Sequence, residues 1–456
     1  MRKYPKWFFI LFPAVSMLLG WGLRGFIGGG PYGAMIPGAM VMLAICMLLD
    51  IPFTFAAVAV VFGTVGIGMG GEMTYGQTLG FLRHTDIIWW GTCGTSLKGG
   101  VWGLLSGIFV GLGLVYKQIK PKIIIVGLFL FLIGFIIGLK LINDPRILYF
   151  SDPFNKPRAE SWGGLLFAGI ALLAYLKVKI SPEEFRLIFR FAFYGLIGGA
   201  LGFGLGGLWL AVGALYGANF FIVDWWKMME FSFGFIMGGF LGYAAWLTRN
   251  FKVDNNKVAG FMTGSLTKEL FIACIAGFFI YLAVPALEPF VEAGSNGDWV
   301  HAGALATIGR VVVSYTFLGS LLIMIALRWP YVAFQIAVML TFSHTVIDLV
   351  TDKGLFPELQ SSSLIIGLII VVASLFISLM VAKLQRKKLV LKSMFLLLVW
   401  STMAVAIIRM LIHSQFHFSA GHSFLQIIIG DMFIFNVFII SALIISQMTI
   451  KHIDAT

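Results

Sequence analysis

The sequence predicts an all-α polytopic membrane protein with about fourteen transmembrane helices, parallel internal four-helix repeats and both termini in the cytoplasm. Of its 456 residues, 59% are hydrophobic and 11% are charged, whereas soluble domains carry about 25% charged residues. Long apolar runs fill most of the chain, and basic residues recur on one side of them. This composition excludes a water-soluble enzyme, a disordered chain and a disulfide-stapled secreted domain.

Each predicted span is an apolar segment close to the ~20 residues that a transmembrane helix needs. The basic N-terminus resembles the head of a signal peptide, but no small-residue cleavage site follows, so we expect an uncleaved first span. Twelve spans are the alternative if two segments are re-entrant. The predicted spans are 7–24, 33–50, 54–71, 99–116, 123–141, 162–178, 187–206, 231–248, 270–290, 304–327, 331–349, 364–383, 393–412 and 424–448.

The positions of the basic residues support this set of spans, because lysine and arginine collect in cytoplasmic loops. Counting from a cytoplasmic N-terminus, the basic clusters at the span ends fall on one side. The net charge of +12 therefore indicates membrane topology rather than nucleic-acid binding, and we expect a cytoplasmic (inner or plasma) membrane location. The basic residues on the predicted cytoplasmic side are Arg2, Lys3, Lys6, Lys117, Lys120, Lys122, Lys177, Lys179, Arg186, Arg249, Lys252, Lys257, Lys383, Arg386, Lys387, Lys388 and Lys451.

An internal repeat is indicated by a glycine string, a tryptophan pair and a single glycine that recur with one common offset. Gly66-x-Gly68-x-Gly70-Gly71, Trp89-Trp90 and Gly103 match Gly202-x-Gly204-x-Gly206-Gly207, Trp225-Trp226 and Gly239. Prolines in three cytoplasmic hairpins suggest a fainter third copy. The resulting units are 1–122 (spans 1–4), 123–257 (spans 5–8), a degenerate third unit at 258–390 (spans 9–12), and two extra spans at 391–456.

The glycine-rich stretches favour close packing of transmembrane helices. Glycine also permits helix breaks, whose ends bind ions or substrates in transporters. For the segment around Gly28-Gly29-Gly30-Pro31, an interrupted helix and continuous packing are equally supported. A dinucleotide-binding loop is rejected because no strand precedes these glycines.

Ionisable residues in the outer half of the spans are the candidate functional residues, since charges inside a membrane usually face a cavity or a partner. Taken singly, each is explained by a side chain that reaches the headgroups. Taken together, the cations oppose the cytoplasmic bias and predict an anion site, with acids and a histidine for ion or proton coupling. The predicted substrate-binding residues are Arg24, Arg83, Lys98, Arg310 and Arg409, and the coupling residues are Glu72, His344, Asp348 and Asp431.

A metal site is a weaker hypothesis. His344, His413, His417 and His422 with Asp348 have the ligand types that zinc uses, but no tight motif such as HExxH is present. The three cysteines are too scattered for a thiolate site. We therefore predict no metal and no cofactor.

The preferred function is secondary transport of a small, anionic organic solute, coupled to protons or another ion. The alternative is a membrane-embedded transferase or hydrolase at the outer leaflet, acting on a lipid-linked or acyl substrate with His344, Asp348 or Glu72 as acid or base. A scramblase or assembly partner would explain the glycines but not the buried arginines. The expected partners are the solute and the bilayer and not nucleic acid, and a homo-oligomer is left open.

Overall fold

The architecture is all-helical throughout the part of the chain that the computed structural model describes. That part comprises residues 4–27, 30–152, 158–216, 225–251, 284–294, 299–329, 390–412 and 434–442, with scattered positions between 271 and 444. Its helices are α1 (Lys6–Ile27), α2 (Gly30–Leu48), α3 (Phe53–Gly70), α4 (Gly76–Phe81), α5 (Ile88–Val115), α6 (Pro121–Gly138), α7 (Trp162–Lys179), α8 (Pro182–Tyr216), α9 (Trp225–Thr248), α10 (Val284–Gly294), α11 (Ala304–Val313), α12 (Tyr315–Arg328) and α13 (Val390–Ile412).

Eight of these helices are long and apolar enough to cross a membrane, and α11 with α12 forms a ninth if the bent pair is one span. Helix α3 is apolar but shorter. The all-helical, multi-pass character is therefore as predicted, whereas the total of fourteen spans, the repeats and the side on which the termini lie stay predictions. Predicted spans 331–349, 364–383 and 424–448 lie largely outside the described residues.

Helix α5 begins eleven residues before the predicted span, at Ile88 instead of residue 99. Its first three turns contain threonine and lysine, which lower the hydropathy there. The helix continues through them because the polar groups are bonded locally: the hydroxyl of Thr92 donates to the Ile88 carbonyl at 2.9 Å, and that of Thr95 to the Gly91 carbonyl at 3.0 Å. Lys98, predicted to open the span, lies well inside the helix and is fully buried.

For the glycine segment after Arg24, the sequence left open an interrupted helix or continuous packing. In the structure, two separate helices lie on either side of it. Helix α1 ends at Ile27 and α2 begins at Gly30, which has a φ of +78° that favours glycine. Gly20 on α1 packs against Pro37 on α2, so the two helices run antiparallel. A Cβ at Gly71, just after α3, would lie 2.6 Å from the Gly30 carbonyl oxygen, so the end of α3 is held tightly against the start of α2.

Helices α5 and α8 are joined by a glycine seam, which we define as Gly99, Gly103 and Gly107 of α5 facing Gly195 and Gly199 of α8. A Cβ at any of these five positions would overlap a backbone carbonyl oxygen of the other helix. The two antiparallel backbones therefore touch directly, as the predicted glycine packing requires.

The bundle has two chemically different ends. We call the end where α1, α3, α6 and α8 finish the Arg24 end, and the end where α8 begins and α9 finishes the Arg190 end. A groove of 650 Å³ lies at the Arg190 end and is lined by residues that include Gln118, Glu184, Arg190, Asn250 and Phe251.

Candidate functional site

The buried charges of the described residues all lie at the Arg24 end of the bundle. Five charged residues are no more than 3% exposed, namely Arg24, Lys98, Lys227, Glu160 and Glu230. The carboxylate of Asp144 is also 3% exposed and is paired with Arg310. Because burying an unpaired charge is costly, the partners of each side chain indicate what it does.

Arg24 closes α1 and is 2% exposed. Its Nη1 donates to the Tyr75 hydroxyl, and its Nη2 lies 3.5 Å from the Gly30 carbonyl oxygen. Its Nε has no acceptor in the part of the chain that the structure describes. Within the described part of the chain, no carboxylate lies within ion-pair distance of this guanidinium. Arg24 is thus a buried cation without a counter-charge among those residues.

Aromatic rings surround this guanidinium. Its Cζ lies 5.0 Å from the ring centroid of Trp21, 5.1 Å from that of Tyr75 and 5.4 Å from that of Trp102. Phe203 and Phe233 pack on these rings, with the Trp21 and Phe233 centroids 4.8 Å apart. The negative faces of the rings offset part of the cost of burying the cation. We call Trp21, Tyr75, Trp102, Phe203 and Phe233 the aromatic cage.

Lys98 is neutralised by Glu160, which lies just before α7. Their charged atoms are 2.7 Å apart. The ammonium also donates to the Thr78 hydroxyl at 2.9 Å and to the Thr74 carbonyl. Glu160 accepts from the Trp162 indole at 3.2 Å. This ion pair fastens the segment between α3 and α5 to the segment before α7.

Lys227 and Glu230 form a second buried pair within α9, 2.7 Å apart. Lys227 also donates to the Gly22 carbonyl of α1 at 2.9 Å, two residues before Arg24. Glu230 accepts from the indole of Trp226 at 3.0 Å. This pair therefore lies beside Arg24 and adds no net charge.

The predicted span 304–327 is broken at Ser314, where α11 and α12 meet with a 59° bend. The Ser314 hydroxyl oxygen accepts from the Phe317 N–H at 3.2 Å and so caps α12. Glu72 also binds this N-terminus: its carboxylate accepts from the Thr316 N–H at 2.9 Å and from the Thr316 hydroxyl. An internal carboxylate thus occupies the anion-binding end of a half-helix.

Glu72 lies in the turn after α3, and burial raises the pKa of its carboxyl group from 4.5 to about 7. Hydrogen bonds from Thr316 and the charge of Arg310 oppose that shift. Arg310, on α11, is 2.7 Å from Asp144 and stacks over Trp299 with its Cζ 4.7 Å from the ring centroid. Asp144 follows a π-helical turn, Leu139–Asn143, at the end of α6, so both halves of the broken helix are tied to neighbouring loops.

The structure places five of the nine predicted site residues at the Arg24 end of the bundle: Arg24, Glu72, Lys98 and Arg310, and Arg83 on its surface. Arg24 has no described counter-charge, whereas Lys98 and Arg310 are paired with carboxylates. Arg83 lies on the turn after α4 and is exposed. Arg409 belongs to α13, but its side chain, together with all of His344, Asp348 and Asp431, lies outside the described residues. The histidines of the metal hypothesis lie there too.

Sequence reasoning missed Glu160, Lys227, Glu230 and Tyr75. The spacing of Lys227 and Glu230 is three residues, which places both on one helix face and was a usable sign of a pair. Glu160 is 62 positions from Lys98, and no local pattern links them. Tyr75 is an ordinary loop residue in sequence and becomes informative only through its contact with Arg24.

Comparison of this chain with protein-family models, with curated proteins and with solved structures finds no match.

Proposed function

We propose that the chain is a secondary transporter, in the cytoplasmic membrane, for a small anionic organic solute. The proposal rests on the environment of Arg24. This residue is 2% exposed, and its guanidinium has no carboxylate partner among the described residues. An uncompensated buried charge costs several kcal/mol. Intramembrane charges of this kind characteristically mark substrate pathways. A bound anion would supply the missing counter-charge.

The broken helix supports the same proposal. Discontinuous helices whose N-termini point at anionic groups are typical of substrate sites in secondary transporters. Here the break at Ser314 lies at the Arg24 end, and Glu72 occupies the N-terminus of α12. A pKa of about 7 allows Glu72 to exchange a proton near neutral pH, so we assign it proton coupling. His344, Asp348 and Asp431 stay coupling candidates from the sequence.

The other predicted cations take supporting roles. Lys98 and Arg310 hold the loops around the site through Glu160 and Asp144. Exposed Arg83 attracts anions from solution, and Arg409 stays a candidate anion contact.

We further propose that the four-span repeats are the moving units. The glycine seam joins α5 of the first predicted unit to α8 of the second. Rocking of one unit against the other about this seam would expose Arg24 to each side in turn, as alternating access requires. The outer-leaflet transferase or hydrolase stays a sequence prediction.

The test is solute uptake by the purified protein in liposomes carrying a proton or sodium gradient. A radiolabelled panel of monocarboxylates, dicarboxylates, amino acids and sugar phosphates would be compared in wild type and Arg24→Gln. We expect gradient-driven uptake of at least one anion, lost in Arg24→Gln and retained in Arg158→Gln, which changes an exposed arginine outside the aromatic cage. Equal uptake by wild type and Arg24→Gln, or none above protein-free liposomes, would contradict the proposal.

A further inference from the structure

We infer that the Arg24 site binds an organic anion that carries a single negative charge and an apolar body. This inference rests on the proposed function, since it specifies the substrate class for the same site. It is carried by the balance of buried charge, by two unpartnered hydrogen-bond donors and by the aromatic cage.

The charge balance leaves one positive charge to be neutralised. Lys98 and Lys227 each have a carboxylate at 2.7 Å, which cancels their charges. Arg24 is the remaining fully buried cation of the described residues. A buried guanidinium keeps its cost of burial unless a negative group lies beside it. A monoanion makes the buried set neutral, whereas a dianion would leave an unbalanced negative charge in a low-dielectric region.

Two buried donors on one face of α1 lack acceptors among the described residues. They are the Nε of Arg24 and the Nε1 of Trp21, whose side chains are 2% and 1% exposed. Residues three apart on a helix lie on the same face, and the guanidinium stacks over the Trp21 ring. A carboxylate has two oxygens with about four acceptor positions. It can therefore accept from both donors and neutralise the guanidinium, whereas a water molecule supplies no negative charge.

The aromatic cage determines that the part of the ligand beyond its charged group is apolar. Trp21, Trp102, Phe203 and Phe233 are each 1–2% exposed, and the indole N–H of Trp102 is already bonded to the Ile67 carbonyl at 2.8 Å. These walls offer apolar ring faces and few free polar groups. An alkyl or aryl body therefore packs against them without loss, whereas a body rich in hydroxyl groups would leave its hydrogen bonds unmade.

Tyr75 holds the Arg24 guanidinium in its buried conformation. Its hydroxyl accepts from Arg24 Nη1, and it directly precedes the six-residue helix α4. Because Arg24 is 2% exposed, an anion reaches it only when a covering segment moves. We assign that movement to the Tyr75 side chain, because Lys98 fastens the flanking Thr74 and Thr78. The anion then replaces the tyrosine hydroxyl as the acceptor.

The test is calorimetric binding to the full chain purified in detergent, with butyrate and succinate as matched probes and benzoate as an aryl monoanion. Butyrate and succinate have the same number of carbons and differ by one carboxylate. At a pH where both succinate carboxylates are ionised, we expect butyrate and benzoate to bind at least about tenfold more tightly than succinate. Arg24→Gln should abolish binding. Stronger binding of succinate, or no binding of either monoanion, would overturn the inference.

A second pair of variants separates charge balance from a merely structural role. Lys227→Met removes a cation and leaves Glu230 to balance Arg24, so butyrate affinity should fall at least about tenfold although Arg24 is intact. The double variant Lys227→Met/Glu230→Gln restores the excess positive charge and should restore butyrate binding. Loss of binding in both, or unchanged binding in the single variant, would show that the charge balance does not govern the site.

These experiments distinguish failure of the binding inference from failure of the transport proposal. If butyrate binds and depends on Arg24 but is not taken up by liposomes, the inference holds and the transport proposal falls. If a dianion is taken up in preference to butyrate, transport holds and the single-charge inference falls.

Discussion

Arginine side chains have opposite environments at the two ends of the bundle. At the Arg190 end, Arg190 is half-buried beside an open groove of 650 Å³, and its Nη1 lies 3.3 Å from the Leu247 carbonyl oxygen. Neighbouring Arg186 is exposed. At the other end, Arg24 is almost completely buried among aromatic rings.

The contrast shows why position alone does not identify a functional charge. A long basic side chain near a helix end usually reaches water, and its charge then costs little. Arg24 does not reach water in this conformation, and the carboxylates beside it are already paired with lysines. Among the described residues, the arginine is therefore buried at the Arg24 end and lies beside an open groove at the Arg190 end.

The largest expected effect comes from breaking a buried pair at the Arg24 end. Lys98→Met leaves Glu160 buried and unpaired, which should cost ~3–5 kcal/mol of unfolding free energy. Arg186→Met, at the exposed end, should stay within ~0.5 kcal/mol. Thermal unfolding in detergent measures both. The double variant Lys98→Met/Glu160→Gln should recover most of the loss, and a loss as large as in the single variant would show that this pair is not the cause.

A somewhat smaller effect is expected in the glycine seam, which runs between the two ends. Gly103→Ala places a Cβ against the Gly195 carbonyl oxygen and forces the helices apart, at a cost of up to ~3 kcal/mol. Gly100→Ala is the matched control, because its Cβ would lie 3.4 Å from that of Ala200, an ordinary contact. Equal unfolding temperatures for the two variants would contradict the direct backbone contact.

The last expected effect, which is spread over more than two pH units, is a pH dependence from Glu72. Since the pKa of this carboxyl group is raised from 4.5 to about 7, the folded chain retains a proton that the unfolded chain releases between these values. Its stabilising contribution is complete below about pH 4.5 and is lost as the pH rises through about 7. Wild type should therefore lose stability relative to Glu72→Gln over this window, by up to ~3 kcal/mol, since a pKa difference of one is worth about 1.4 kcal/mol. Parallel pH profiles of unfolding would rule out the assignment.

Much of the helical framework could be predicted from the sequence. Span 162–178 is observed as Trp162–Lys179, because the apolar run from Trp162 to Leu176 is flanked by polar Glu160-Ser161 and by Lys177, which leaves little choice of boundary. The start of α5 was missed because hydropathy counts Thr92 and Lys98 as polar, although their hydrogen bonds and ion pair satisfy them inside the protein. The break at Ser314 was missed for the opposite reason, since the apolar pattern continues through it.

The candidate site was predictable only in part. Arg24, Lys98, Arg310 and Glu72 were recognised as charges out of place, and they do lie at one end. What the sequence could not show is which cations are neutralised. That depends on Glu160 and Asp144, whose distances along the chain from their partners are 62 and 166 residues.

The glycine seam has an evolutionary consequence. Most packed interfaces change through paired substitutions, in which a larger residue on one side is accommodated by a smaller residue opposite. At Gly99, Gly103 and Gly195 the atom opposite is a carbonyl oxygen, which every amino acid carries, so no compensating substitution exists. We therefore expect α5 and α8 to keep their glycines in any protein that shares this seam, while the surrounding lipid-facing residues diverge freely.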